Sequence, residues 1–71
     1  MAEVRAEMAA NVWKVAAAPG DTLNEGDAVL ILESMKMEIP VVVENPAAVV
    51  SIEVAEGDVV REGDLLAVVA E

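Results

Sequence analysis

The chain has no cysteine, histidine, tyrosine or phenylalanine, and Trp13 is its single aromatic residue among 71. Without Cys or His, disulfide scaffolds, Cys/His zinc sites, Ser/His or Cys nucleophilic pairs and imidazole acid–base chemistry are all excluded. Positive charge is scarce too: 4 Lys+Arg stand against 14 Asp+Glu, for a formal net charge of −10. That surplus repels phosphate backbones and anionic head groups, so no nucleic acid and no membrane surface is expected as a partner. A basic protein surface suits it better. No stretch reaches the length of a membrane span and the start MAEVRAEMAA carries no long apolar run, so a cytoplasmic location is expected.

What the chain does have is apolar surface. Hydrophobic residues make up 56% of it and the mean hydropathy is +0.51, far above the range in which high charge keeps a chain unfolded. The length supports a single domain spanning 1–71. Its core must be built from Val, Leu, Ile and Ala, and the abundance of valine favours strands. Trp13 is expected to pack in the core or at its edge, by the usual preference of large aromatics.

An internal repeat organises the sequence. Gly20-Asp21 followed by Glu25-Gly26-Asp27 recurs as Gly57-Asp58 followed by Glu62-Gly63-Asp64. In the same alignment Val4 falls on Val41, Ala10 on Ala47, Val12 on Val49 and Ala18 on Ala55. Glycine reaches positive φ without steric cost and aspartate bonds nearby backbone N–H groups, so each Gly-Asp pair reads as a turn between strands. Apolar residues alternate around these turns. At the N-terminus Val4, Ala6 and Met8 face one way and Glu3, Arg5 and Glu7 the other, the period of a half-buried strand. Helix formers are common there as well, but the matching segment contains Pro46 and the run Val41-Val42-Val43, which favours the strand. Further strands are expected at Asn11 to Ala17, Ala28 to Glu33, Met37 to Val43, Val49 to Ala55 and Leu65 to Val69, with short pieces at Thr22-Leu23 and Val59-Val60. The result is an all-β domain, a sandwich or barrel whose halves are related by an approximate twofold axis. Pro40 cannot donate to a ladder and belongs on an edge or at a bulge.

One segment has no counterpart in the repeat: Glu33-Ser34-Met35-Lys36-Met37-Glu38-Ile39-Pro40. If the flanking strands pair, Met35-Lys36 forms the tip of a two-residue hairpin, although neither residue is of the Gly, Asn or Asp type that such tips favour. Holding them there costs of order 1 kcal/mol or more, on the scale of strain retained at functional sites. Lys36 thus presents its amine between two soft, adaptable methionines. A solvated turn lysine flanked by core-directed methionines is the plainer reading of the same triplet.

Glu33-Ser34-Met35-Lys36-Met37 resembles the attachment motif of biotinyl domains. The duplicated Gly-Asp skeleton is similar to the flattened eight-stranded antiparallel barrel-sandwich shared by biotinyl and lipoyl domains, over Val4 to Ala70. The likeness is strongest to short free-standing bacterial biotin/lipoyl attachment proteins, and includes Asn11-Val12-Trp13-Lys14 and Glu38-Ile39-Pro40. It implies biotin joined to Lys36 in amide linkage, with Glu33, Ser34, Met35, Met37 and Glu38 recognised by the modifying enzyme. Methionine on both sides favours biotin over lipoate, the alternative cofactor. It also implies the partners: a biotin protein ligase, a biotin carboxylase that loads a carboxyl group using ATP and bicarbonate, and a carboxyltransferase that passes it to an acceptor such as an acyl-CoA or a keto acid.

Three departures from the family pattern stand out. Ser34 replaces a common Ala, Ala10 and Ala47 stand where many members have Gly, and the equal intervals from Gly20 to Gly26 and from Gly57 to Gly63 leave no room for the protruding loop of some carrier proteins. An amine must be neutral to attack an acyl-adenylate, whereas lysine is ordinarily protonated. Deprotonation is therefore expected to come from the ligase, and the chain itself is expected to be a non-catalytic carrier, most simply a monomer. Rival readings are a lipoyl carrier of a 2-oxo acid dehydrogenase system and an unmodified structural or interaction module. A Ser34–Lys36 catalytic pair has the wrong spacing, the four Asp lack calcium-loop spacing, and Lys14 reads as a solvated strand residue.

Overall fold

Each of the four Gly-Asp pairs builds the same turn. In Ala18-Pro19-Gly20-Asp21 the Asp21 N–H donates to the Ala18 carbonyl at 3.0 Å, Gly20 sits at φ +95°, and Asp21 Oδ2 accepts from the Ala18 N–H at 2.9 Å. A positive φ at the third position of a turn is where glycine is needed, and the carboxylate closes a second ring around the turn. The device recurs in Asn24–Asp27, Ala55–Asp58 and Arg61–Asp64, with the same 2.9 Å carboxylate contact each time.

The computed structural model describes residues 1–71 and contains eight strands: β1 (Ala2–Arg5), β2 (Ala10–Val15), β3 (Thr22–Leu23), β4 (Ala28–Ser34), β5 (Met37–Val42), β6 (Ala47–Ile52), β7 (Val59–Val60) and β8 (Leu65–Ala70). They form two antiparallel four-stranded sheets in the orders β1-β8-β6-β3 and β5-β4-β2-β7. Every sheet therefore takes strands from both halves of the repeat. No helix is long and apolar enough to cross a membrane.

The core lies between the sheets and keeps the repeat. Val12 and Val49, Leu23 and Val60, and Leu32 and Val69 are buried as matching pairs. Val29 and Leu66 are both fully buried, and each is the extra residue at a register shift in its strand. Burying a side chain such as Leu66 is worth about 1.5–3 kcal/mol, and with no disulfide to help, this layer carries the domain.

The expected short strands are observed as read, and the longer ones differ by a few residues at their ends. The strand expected at Asn11 to Ala17 stops at Val15 because the N–H groups of Ala16 and Ala17 both turn onto the Val29 carbonyl at 3.0 Å. Glu53 does the same to Leu66 at 2.8 Å, so β6 ends at Ile52 rather than Ala55. The N-terminal segment is a strand, but a short one. Ala6 leaves β1 to exchange main-chain bonds with Gly63 and Asp64, the chain bends at residues 7–8, and Met8, expected inside, is 40% exposed.

Trp13 is the second correction. It is 49% exposed, because it follows buried Val12 in the alternation of β2; the register then skips from Val12 to Lys14 against β4. A bulge lets two successive residues share one face, and here Trp13 and Lys14 both point outward. Strand alternation alone would have turned Lys14 inward.

Candidate hairpin site

Strands β4 and β5 are paired without interruption from Leu30↔Val41 to Ser34↔Met37, leaving Met35 and Lys36 as a two-residue connection. Met35 has φ 53° and Lys36 φ 66°, and these are the only non-glycine residues of the chain at positive φ. Two central residues in that region make the type I′ turn that matches the twist of a hairpin. For residues with a Cβ each costs roughly 1–2 kcal/mol. The local sequence does not favour this turn; the pairing of β4 and β5, anchored in the core through Leu30 and Leu32, imposes it.

The turn holds its side chains out. Lys36 and Met37 are exposed, and Met35 is 92% exposed, so the flanking methionines are not core-directed. The only ion pair of the chain joins Arg5 to Glu3 at 2.9 Å, leaving Lys36 without a charged partner. Below the turn Glu33 faces Glu38 directly across the ladder, and no cation of the chain pairs with either. Like charges in that position repel one another. On the opposite face Ser34 pairs with Met37 and is half-buried. The structure thus brings Glu33, Ser34, Met35, Lys36, Met37 and Glu38 together on one hairpin. Pro40 lies in β5, an edge strand, as its missing N–H requires.

Ala10 and Ala47, where glycine is common in the family pattern, open β2 and β6. Neither is at positive φ and both are buried, so alanine suits each position. The four Asp carboxylates are engaged as turn acceptors. One contact had no signal in the sequence: Glu56 Oε2 accepts the Val15 N–H at 3.0 Å, capping the end of β2 from the other half of the chain. Lys14 is exposed on β2, in the ladder opposite Ile31, away from the turn.

A family model described as "Biotin-requiring enzyme" matches residues 1–69. The chain belongs to the biotin/lipoyl attachment family. This attachment domain is 48% identical over 68 residues to "Biotinylated protein TB7.3 homolog" of Mycobacterium leprae, covering 96% of both chains. It is 49% identical over 63 residues to "Biotin/lipoyl attachment protein" of Bacillus subtilis, covering 89% of this chain and 86% of that one. Among solved structures it resembles the Kluyveromyces lactis urea carboxylase with TM-score 0.89 and 38% identity; the match covers 96% of the domain but 6% of that enzyme. The eight-stranded, two-sheet architecture expected of an attachment domain is the one observed.

Proposed function

We propose that this protein is a biotin carboxyl carrier whose prosthetic group is joined to Nζ of Lys36. The observation that carries this reading is the turn: the only two non-glycine residues held at positive φ are Met35 and Lys36, and they display an unpaired amine at the end of a rigid hairpin. The similarity to biotinylated relatives and to a region of a carboxylase supports biotin as the group.

The chemistry divides between this chain and its enzymes. Lys36 Nζ attacks the activated carboxyl that a ligase presents; the amide bond forms and the activating group departs. The chain holds no imidazole or thiolate to take the amine proton, so the ligase supplies the base. Ser34, Met35 and Met37 offer that ligase a small hydroxyl and two soft apolar contacts, with Glu33 and Glu38 as charged markers. Biotin, once attached, supplies a ureido nitrogen that takes up and gives back a carboxyl group. The hairpin fixes the root of the arm while the lysine side chain swings, which raises the local concentration of the group at a biotin carboxylase and at a carboxyltransferase. The chain itself catalyses neither step, and it works as a cytoplasmic monomer.

Intact mass measurement on protein isolated from its own cells tests the reading. A biotinyl increment mapped to Lys36 is the expected result. A lipoyl increment would instead favour the lipoyl carrier, a reading that the name of the Bacillus relative keeps in view, and an unmodified chain would favour an interaction module.

A further inference from the structure

The domain has a single groove of size, about 410 Å³, between β1 and β5, each the terminal strand of its sheet. That volume lies in the range of small-molecule sites. The repeat meets itself there: Val4 and Val41, and Leu32 and Val69, are mates that line the groove together. Leu32 and Val69 are buried, whereas Val4, Ile39 and Val41 are only half-buried. Core packing accounts for the first two; no other part of the chain completes the cover of the other three.

The groove is continuous with the lysine turn. Along β5, Met37, Ile39 and Val41 share the face turned toward the core, since Met37 opposes Ser34 and Ile39 opposes buried Leu32. At ~3.3 Å per residue, Val41 lies about 13 Å along the strand from Met37. A biotinyl-lysine arm has about eleven bonds between Cα and the ring, each of roughly 1.3–1.5 Å. Folded back from Lys36, that arm is long enough to lay the ring over Ile39 and Val41.

The ring also fits chemically. It is uncharged, and the charged lining of the groove is Glu3, Glu7, Glu44 and Glu71 against Arg5. The Arg5 guanidinium is already engaged, by Glu3 at 2.9 Å and by the Gly63 carbonyl at 2.7 Å, so the rim repels anionic guests. The ureido group of the ring needs acceptors for its N–H groups and a donor for its carbonyl. In a two-residue hairpin Ser34 and Met37 form the closing hydrogen-bonded pair, so by alternation Glu38 and Pro40 turn their main-chain groups away from β4. Both carbonyls and the Glu38 N–H are thus free along the β5 edge, where Pro40 lines the groove and has no N–H to leave unpaired.

We propose that the groove between β1 and β5 is the resting site of the chain's own prosthetic group. With the arm folded back along β5, the biotin ring lies on Val4, Ile39 and Val41, and its ureido group bonds to the main chain at Glu38 and Pro40. This rests on the carrier reading above and adds where the group sits between visits to its enzymes. Each transfer then begins with the ring leaving the groove, and the docked fraction lowers its availability to any enzyme in proportion.

Full-length protein labelled with 15N and with 13C methyls is compared before and after biotinylation by a biotin ligase, with occupancy of Lys36 read by intact mass. The expected result is movement of the Val4, Ile39 and Val41 amides, and nuclear Overhauser contacts from the ring protons to their methyls, with Thr22 and Val50 unmoved. The double variant Val4→Thr, Ile39→Thr keeps β-branched residues at both positions. It should lose those contacts, and streptavidin should capture its biotin about threefold or more faster than that of the parent. Changes confined to residues 34–38 of a fully biotinylated chain, or an unchanged capture rate in the folded variant, would overturn the proposal and leave the carrier reading intact. Should the variant not fold, the parent's map alone decides. Failure of Lys36 to accept biotin would defeat the carrier reading and this proposal with it.

Discussion

Val12 and Asp58 are joined across the two halves of the chain: the Val12 N–H donates to the Asp58 carbonyl at 2.8 Å, and the Val12 carbonyl accepts from Gly57 N–H at 2.8 Å. Val49 makes the same two bonds to Asp21 and Gly20, and Ala6 and Val43 repeat them with the remaining two turns. Each turn of one half is thus closed on the main chain of the other.

It follows that neither half folds alone. Peptides 1–36 and 37–71 should each show little strand signal by far-UV circular dichroism, because every sheet loses two strands and every turn loses its partner. Mixing them should restore the signal. Stable structure in an isolated half would contradict this interlocking.

The turn at Lys36 stores strain that a different pair of residues would relieve. Met35→Asn with Lys36→Gly supplies the residue types that a type I′ turn prefers and should raise stability by about 1 kcal/mol, moving Tm up by about 4–8 °C. Modification should vanish in the same protein. A fall in Tm would mean that the methionine and lysine side chains make stabilising contacts that outweigh the turn.

The aspartate acceptors are equivalent by symmetry and should cost alike. Asp21→Ala and Asp58→Ala each remove one carboxylate contact to a backbone N–H and should each lower stability by about 1 kcal/mol in urea denaturation. Gly57→Ala should cost at least as much, since space is open around its Cα but φ is +95°, a backbone that alanine adopts only with strain. Markedly unequal losses at the two aspartates would show that the halves are not energetically equivalent.

Lys36→Ala should abolish labelling by biotin ligase, ATP and biotin, read by intact mass, while the melting transition stays within about 0.5 kcal/mol of the parent. An exposed tip side chain carries almost no packing. Retained labelling would reassign the acceptor to Lys14.

Much of this was legible in the chain itself. The Gly-Asp repeat specified four turns because positive φ and a returning carboxylate demand those two residue types, and the alternation around them specified strands. The hairpin at Met35-Lys36 was legible for the opposite reason: it is the place where the local residues disagree with the turn that their flanking strands require. What the linear order did not contain was the position of each bulge. Bulges arise from the pairing of strands distant in sequence, so the outward placement of Lys14 beside Trp13, the early ends of β2 and β6 and the capping of Val15 by Glu56 were settled only when the two sheets closed over one core. The same closure decided that alanine suits positions 10 and 47, because burial and φ there are properties of the packed strands rather than of the neighbouring residues.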